Sequence, residues 1–154
     1  MRILVTGGAG FVGSACLRHL LEHGHEAVAY DSLVQGHRAA VPEGRLIEGD
    51  INDGDALVRA LKDVAAEAVM HFAAATYVGE SVTDPDYHYG NNIGGTRSLL
   101  NAMRAVGVDR MLFSSTCATY GMNPVIPMAE AGKQDRGSPY PRAKLAVEGM
   151  LRAF

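Results

Sequence analysis

The run Leu4-Val5-Thr6-Gly7-Gly8-Ala9-Gly10-Phe11-Val12-Gly13-Ser14 constrains the fold more than any other stretch, because an apolar segment breaks into glycines and then resumes with helical spacing. It reads as strand, loop, helix. Such a loop lets the chain turn tightly off the strand, presents bare backbone amides to an anion and packs the new helix on the sheet. The glycines alone also suit an empty turn. The surroundings favour a bound phosphate: a strand over 2–6, a helix over 11–22 that is apolar at Val12, Ala15, Cys16 and Leu20, and a strand over 26–30. That is the order of a dinucleotide-binding unit. Asp31 closes the second strand about 20 residues past the glycines, where a carboxylate accepts both hydroxyls of an adenosine ribose.

With 154 residues, 47% of them apolar and 20% charged, the chain has the length and composition of one globular domain over 1–154. A net charge of −3 with scattered basic residues gives no field for nucleic acid or anionic lipid, so the expected partner is a small molecule. The start is too short and too soon followed by glycines for a signal peptide, and no apolar run spans a bilayer, which predicts a cytoplasmic protein. Cys16 and Cys117 lack metal-ligand spacing and read as buried thiols, with no metal expected.

Residues 32–43 turn polar and read as loop, and a third strand is expected over 45–48. Gly49-Asp50-Ile51 then leaves that strand toward the ligand edge. Asp50 is placed to receive an adenine amino group with Ile51 against the ring; equally, Asp50, Asn52 or Asp53 caps the helix expected over 53–62. A fourth strand is expected over 68–75, where small residues let a ligand lie close, and its His71 reads as a packed core group rather than a base. A long helix is expected over 83–106, entered through Asp84-Pro85 and ended by Gly107. Within it, Asn91 and Asn92 lie either on the surface or with an amide facing the strand ends. A fifth strand over 110–113 exits at Ser114-Ser115-Thr116. These strand-to-helix units predict an α/β fold of Rossmann type, a doubly wound parallel sheet ordered 3-2-1-4-5 with ligands at its carboxyl edge.

Ser138-Pro139-Tyr140-Pro141-Arg142-Ala143-Lys144 starts a last helix, since prolines are tolerated in a first turn whose amides lack partners. Tyr140 and Lys144 are one helical turn apart, so an ammonium can lie near a phenol and favour its ionised form. A nearby oxidised nicotinamide would add to that effect. Thr116 supplies a hydroxyl from the neighbouring strand end.

Thr6-Gly7-Gly8-Ala9-Gly10-Phe11-Val12-Gly13 and Tyr140-x-x-x-Lys144 resemble the extended short-chain dehydrogenase/reductases. Further pieces narrow the resemblance to the UDP-glucose 4-epimerase family: His71-Phe72-Ala73-Ala74, Tyr77-Val78-Gly79-Glu80-Ser81, Asn91-Asn92-Ile93-Gly94-Gly95-Thr96 and Ser114 through Gly121. The resemblance implies an NAD-dependent isomerase. Tyr140 would be the base, Lys144 its pKa partner and a ribose ligand, and Thr116 the hydroxyl holding the sugar's 4-oxygen. NAD would be held by Gly7, Gly10, Phe11, Val12, Gly13, Asp31, Ser32, Leu33, Val34, Gln35, Gly36, Asp50, Ile51, Phe72, Ala73, Ala74, Ala75, Thr76, Asn91 and Lys144. A UDP-hexose would lose a proton to Tyr140 and hydride from C4, turn over as a 4-keto sugar and regain hydride on its other face, interconverting UDP-galactose and UDP-glucose. Relatives of this kind are expected to be homodimers.

The chain departs from the family pattern at Gln35, Thr76, Pro141 and Ala143, and Pro141 leaves the Tyr/Lys pair intact. Family members run on into a carboxyl-terminal substrate-gripping domain, so the resemblance implies an amino-terminal half with little turnover of its own. Cys117 and Ala118 stand where related dehydratases and decarboxylases place acidic residues, which favours epimerisation. A UDP-glucuronate 4-epimerase, another nucleotide-sugar epimerase/dehydratase, and a non-catalytic NAD-binding fragment stay open.

Overall fold

The structure, a computed structural model, describes residues 1–121, 126–132, 134 and 137–154. The chain forms two compact units, Met1–Ala74 with Gly95–Ser114, and Ala75–Gly94 with Ser115–Phe154.

The first unit holds five strands, β1 (Arg2–Thr6), β2 (Glu26–Asp31), β3 (Leu46–Glu48), β4 (Ala68–His71) and β5 (Met111–Phe113), all parallel and ordered β3-β2-β1-β4-β5. This is the expected Rossmann-type topology. Three helices complete the unit: α1 (Phe11–Glu22), α2 (Gly54–Asp63) and α5 (Gly95–Val106). Ile3 and Val5 of β1, Ala27 and Ala29 of β2 and Leu17 of α1 form one buried cluster, whereas Leu4 and Val69, paired in register, alternate to the opposite face. Leu57 and Leu61 of α2 and Leu99 and Met103 of α5 are buried as those helices pack on each other. Burying each such side chain stabilises the unit by roughly 1.5–3 kcal/mol.

His71 is core, as expected. Only 1% of it is exposed, with Nδ1 at 2.6 Å from the Thr6 hydroxyl and Nε2 at 2.9 Å from that of Thr96. Asp53, not Asp50, caps α2 by accepting the Ala56 amide at 2.9 Å.

The second unit contains α3 (Val78–Thr83), α4 (Pro85–Tyr89), a π turn at Gly90–Gly94, a 3-10 turn at Cys117–Tyr120 and α6 (Pro139–Ala153). The long helix expected over 83–106 is a continuous helical run over 85–106 in which α4, the π turn and α5 follow one another, so its course departs from one regular α-helix at Gly90–Gly94. Its entry through Asp84-Pro85 is as expected: Pro85 stands in the first turn of α4, and the Asp84 carboxylate caps that helix on the Tyr87 amide at 3.0 Å. The fourth strand also stops earlier than expected, at His71, leaving 72–77 without regular structure. Among the described residues no helix is long and apolar enough to cross a membrane.

Candidate functional site

In the first unit, β1 ends at Thr6 and the chain turns at Gly7, whose φ of +69° only glycine adopts freely. A Cβ at Gly7 would lie 2.5 Å from the Ala73 nitrogen, and one at Gly13 only 2.1 Å from the Gly7 carbonyl oxygen. Both glycines are demanded by the protein's own packing. Gly10 differs: its φ is −80°, and a Cβ there would approach only the Gly7 oxygen, at 3.2 Å. It caps α1 without a side-chain hydrogen bond, so the first-turn amides of Phe11, Val12 and Gly13 have no side-chain acceptor from the cap. Phe11 is 93% exposed. An anion fits this helix start, with the helix dipole behind it.

Asp31 ends β2 nearly buried. Its Oδ2 accepts the Ala9 amide at 2.9 Å and its Oδ1 the Leu33 amide at 2.9 Å. Each carboxylate oxygen keeps a second acceptor position, enough for a pair of vicinal hydroxyls. Leu33, at φ +60°, takes a left-handed conformation that its side chain disfavours and that the Asp31 bond helps hold. Ser32, Val34 and Gln35 are exposed, and the loop closes where the His37 amide donates to the Ala9 carbonyl at 2.9 Å. Gly36 lies against Asp31 and Ala9, since a Cβ there would reach Oδ1 at 2.7 Å. Asp31 thus joins the glycine loop to the loop after β2. Ala9 and Leu33 act through backbone amides, which no side-chain pattern reveals.

Asp50 is exposed, and its Oδ1 accepts from the Asn52 amide at 2.8 Å. Its carbonyl accepts from the Tyr30 hydroxyl at 2.9 Å. Burial pushes that phenol up to about 12, helped by the Asp53 and Asp50 carboxylates, which keeps it a donor. Ile51 is buried, in a place where a Cβ on Gly95 would meet its side chain at 2.4 Å. Phe72, Ala73 and Ala74 are half-buried, with the Phe72–Ala73 backbone against Gly7. A hollow of about 310 Å³ lined by Glu26, Arg45 and Asp63 lies at the amino ends of β2 and β3, away from these residues.

In the second unit, Asn92 is buried. Its Oδ1 accepts the Ala75 amide at 2.8 Å and its Nδ2 donates to the Ala75 carbonyl at 2.9 Å, a two-bond clasp on the segment after β4. Of the two readings for the asparagine pair, the surface one does not hold for Asn92, whose amide meets the segment after β4; half-buried Asn91 donates to Asn92 Oδ1 at 3.0 Å. Thr76 is exposed.

Ser138 opens α6, with Pro139 in the first turn, and Tyr140 and Lys144 both face inward, 9% and 3% exposed. The Lys144 Nζ sits 5.9 Å from the centre of the Tyr140 ring. Thr116 caps the 3-10 turn on the Ala118 amide at 3.2 Å, and its side chain hydrogen-bonds Tyr140. The Tyr140/Lys144 spacing predicts a phenol pulled toward ionisation. In the protein alone the shift is upward: burial raises the Tyr140 phenol and the neighbouring Cys117 adds to this, while the Thr116 hydrogen bond opposes them. Burial also lowers Lys144 to about 8, weakening the cation expected to activate the phenol. Cys117, expected to be a buried thiol, is exposed, because it begins a short 3-10 turn rather than a packed segment. One turn past Lys144, Glu148 accepts a hydrogen bond from Ser115.

Residues 3–154 match the profile of the NAD dependent epimerase/dehydratase family. The chain belongs to that family. Among curated members, UDP-glucose 4-epimerase of Streptomyces lividans is 45% identical to this family member over 152 residues, 97% of this chain and 46% of its own length. The Rhizobium meliloti enzyme of the same name is also 45% identical, over 99% of this chain and 46% of its length. Among solved structures, UDP-glucose 4-epimerase from Brucella ovis in complex with NAD superposes with a TM-score of 0.94 at 48% identity, over 98% of this chain and 46% of that one. The Bifidobacterium longum enzyme in complex with NAD+ and UDP gives 0.93 at 31% identity, over 98% and 48%. This epimerase/dehydratase chain therefore spans about half the length of the curated relatives it matches.

Proposed function

We propose that residues 1–154 are the NAD-binding domain of a cytoplasmic, homodimeric UDP-hexose 4-epimerase that interconverts UDP-galactose and UDP-glucose. The observation that carries the cofactor reading is the start of α1: first-turn amides with no side-chain cap, a glycine at position 10 whose Cβ would meet one neighbour, the Gly7 oxygen at 3.2 Å, and nearly buried Asp31 hydrogen-bonded to the same loop. Gly7, Gly10, Gly13 and the amides of Phe11 and Val12 hold the pyrophosphate, and Asp31 takes the adenosine ribose. The loop from Ser32 to Gly36 and the residues Asp50 and Ile51 flank the adenosine, and Phe72 through Thr76, Asn91 and Lys144 serve the rest of the dinucleotide. When bound, that group would supply a reversible hydride acceptor for the sugar's C4.

The chain's own part in the chemistry is proton transfer. Tyr140 takes the proton of the 4-hydroxyl, Thr116 holds the same oxygen, and Lys144 supports the phenolate. Burial shifts the Tyr140 phenol away from ionisation, and a bound oxidised nicotinamide would supply positive charge that favours the phenolate.

Titration of the chain with NAD and NADP, followed by incubation with UDP-galactose, tests this reading. NAD binding in preference to NADP, with UDP-glucose formed, supports it whole; NAD binding without turnover assigns residues 1–154 the cofactor-holding role alone; binding of neither dinucleotide overturns it.

A further inference from the structure

We propose that Glu48 selects the cofactor: by engaging Arg38 beside Asp31, it withholds the guanidinium that would otherwise receive a 2′-phosphate. The inference rests on the dinucleotide reading above and adds a residue to it. Asp31 and Glu48 are the last residues of β2 and β3 and are partners in the parallel register, so they stand one strand spacing apart on the same sheet face, at the carboxyl edge. The Gly49 amide donates to the Asp31 carbonyl at 3.0 Å and locks that register.

The loop after Asp31 brings Arg38 to the same place. Its return is anchored by the His37 amide on the Ala9 carbonyl at 2.9 Å, and a short 3-10 turn over Arg38–Ala40 follows. Arg38 Nη2 there pairs with Glu48 Oε2, both side chains being more than half exposed. In folds of this kind an acid at the end of the second strand reads the ribose 2′-hydroxyl, whereas a nearby arginine accommodates a 2′-phosphate. This chain carries both residues. Arg45, the other basic residue of the region, precedes β3 and lines the hollow at the amino ends of the strands, at the far end from Asp31.

Glu48 acts on Arg38 in two ways. It occupies guanidinium donors, and it cancels their charge, so that an incoming dianion meets Asp31 without a free counter-charge. An exposed pair contributes little to stability, so Glu48→Gln leaves the fold intact and frees Arg38.

The test measures binding of NAD, NADP, AMP and adenosine 2′,5′-bisphosphate to the wild-type chain, E48Q, R38A and the double variant R38A/E48Q by calorimetry at low salt. We expect E48Q to raise the affinity of the 2′-phosphorylated member of each pair relative to its partner by about fivefold, the worth of an exposed ion pair. The double variant returns the ratio to the wild-type value. An unchanged ratio in E48Q overturns the inference, and so does an equal rise in R38A/E48Q, which would mean that Glu48 repels the phosphate without Arg38. If the wild-type protein binds NAD and the variants give either overturning result, the dinucleotide reading still stands; wild-type protein that binds none of the four removes both.

Discussion

The Ala9 amide donates to Oδ2 of Asp31 at 2.9 Å, which makes the acid closing β2 and the glycine loop after β1 one hydrogen-bonded piece. A ligand-reading residue is here also a scaffold residue.

Asp31→Asn therefore lowers stability as well as NAD affinity. Both oxygens accept backbone amides, and an asparagine would turn an NH2 group toward one of those donors. We expect a loss of about 1–3 kcal/mol in urea unfolding without cofactor. A residue that served the ribose alone would leave that midpoint where it is in the wild type.

The glycines separate in the same way. Gly13→Ala forces a Cβ against the Gly7 carbonyl at 2.1 Å and is expected to cost about 3 kcal/mol or more, whereas Gly10→Ala meets only a 3.2 Å contact at an ordinary φ. Gly10→Ala should unfold within about 1 kcal/mol of the wild type yet lose tenfold or more in NAD affinity, roughly 1.4 kcal/mol of binding. Paired unfolding and calorimetry measurements distinguish the two outcomes.

Lys144 sets a pH dependence. Its folded pKa of about 8 lies below its ordinary 10.5, so between those values the unfolded chain binds more protons and stability rises with pH. Below pH 8 the penalty is complete. Lys144→Met removes it and should stabilise the protein at pH 7 by about 1–3 kcal/mol, an advantage that fades by pH 10.5 in denaturant titrations. The same variant loses NAD affinity.

Tyr140 responds to its two neighbours in opposite directions. Thr116→Val deletes the hydrogen bond that favours the phenolate and should move the Tyr140 titration higher, while Cys117→Ser removes a group that raises it and should move it lower. Near-ultraviolet phenolate absorbance, with Tyr140→Phe subtracted, reads both shifts. Added NAD should lower the titration in each case.

Much of the frame is legible in the sequence. The sheet order followed from alternating strand and helix patterns, the turn at Gly7 from the glycine spacing, and the start of α6 from Ser138-Pro139. Local patterns also give the entry of the long helix through Asp84-Pro85, but apolar spacing over 83–106 carries no sign of the π turn at Gly90–Gly94, whose Asn92 clasps Ala75.

The sequence by itself determined the parallel sheet, the glycine loop at its edge and the Tyr140/Lys144 spacing, because these rest on side-chain periodicity and on the steric freedom of glycine, both local properties. Only the tertiary structure decided that Asp31 anchors two loops, that Arg38 is taken up by Glu48 and that the Tyr140 phenol is shifted upward. Those outcomes depend on burial and on groups far apart in the chain, since desolvation and hydrogen bonding act through space and leave no spacing to read.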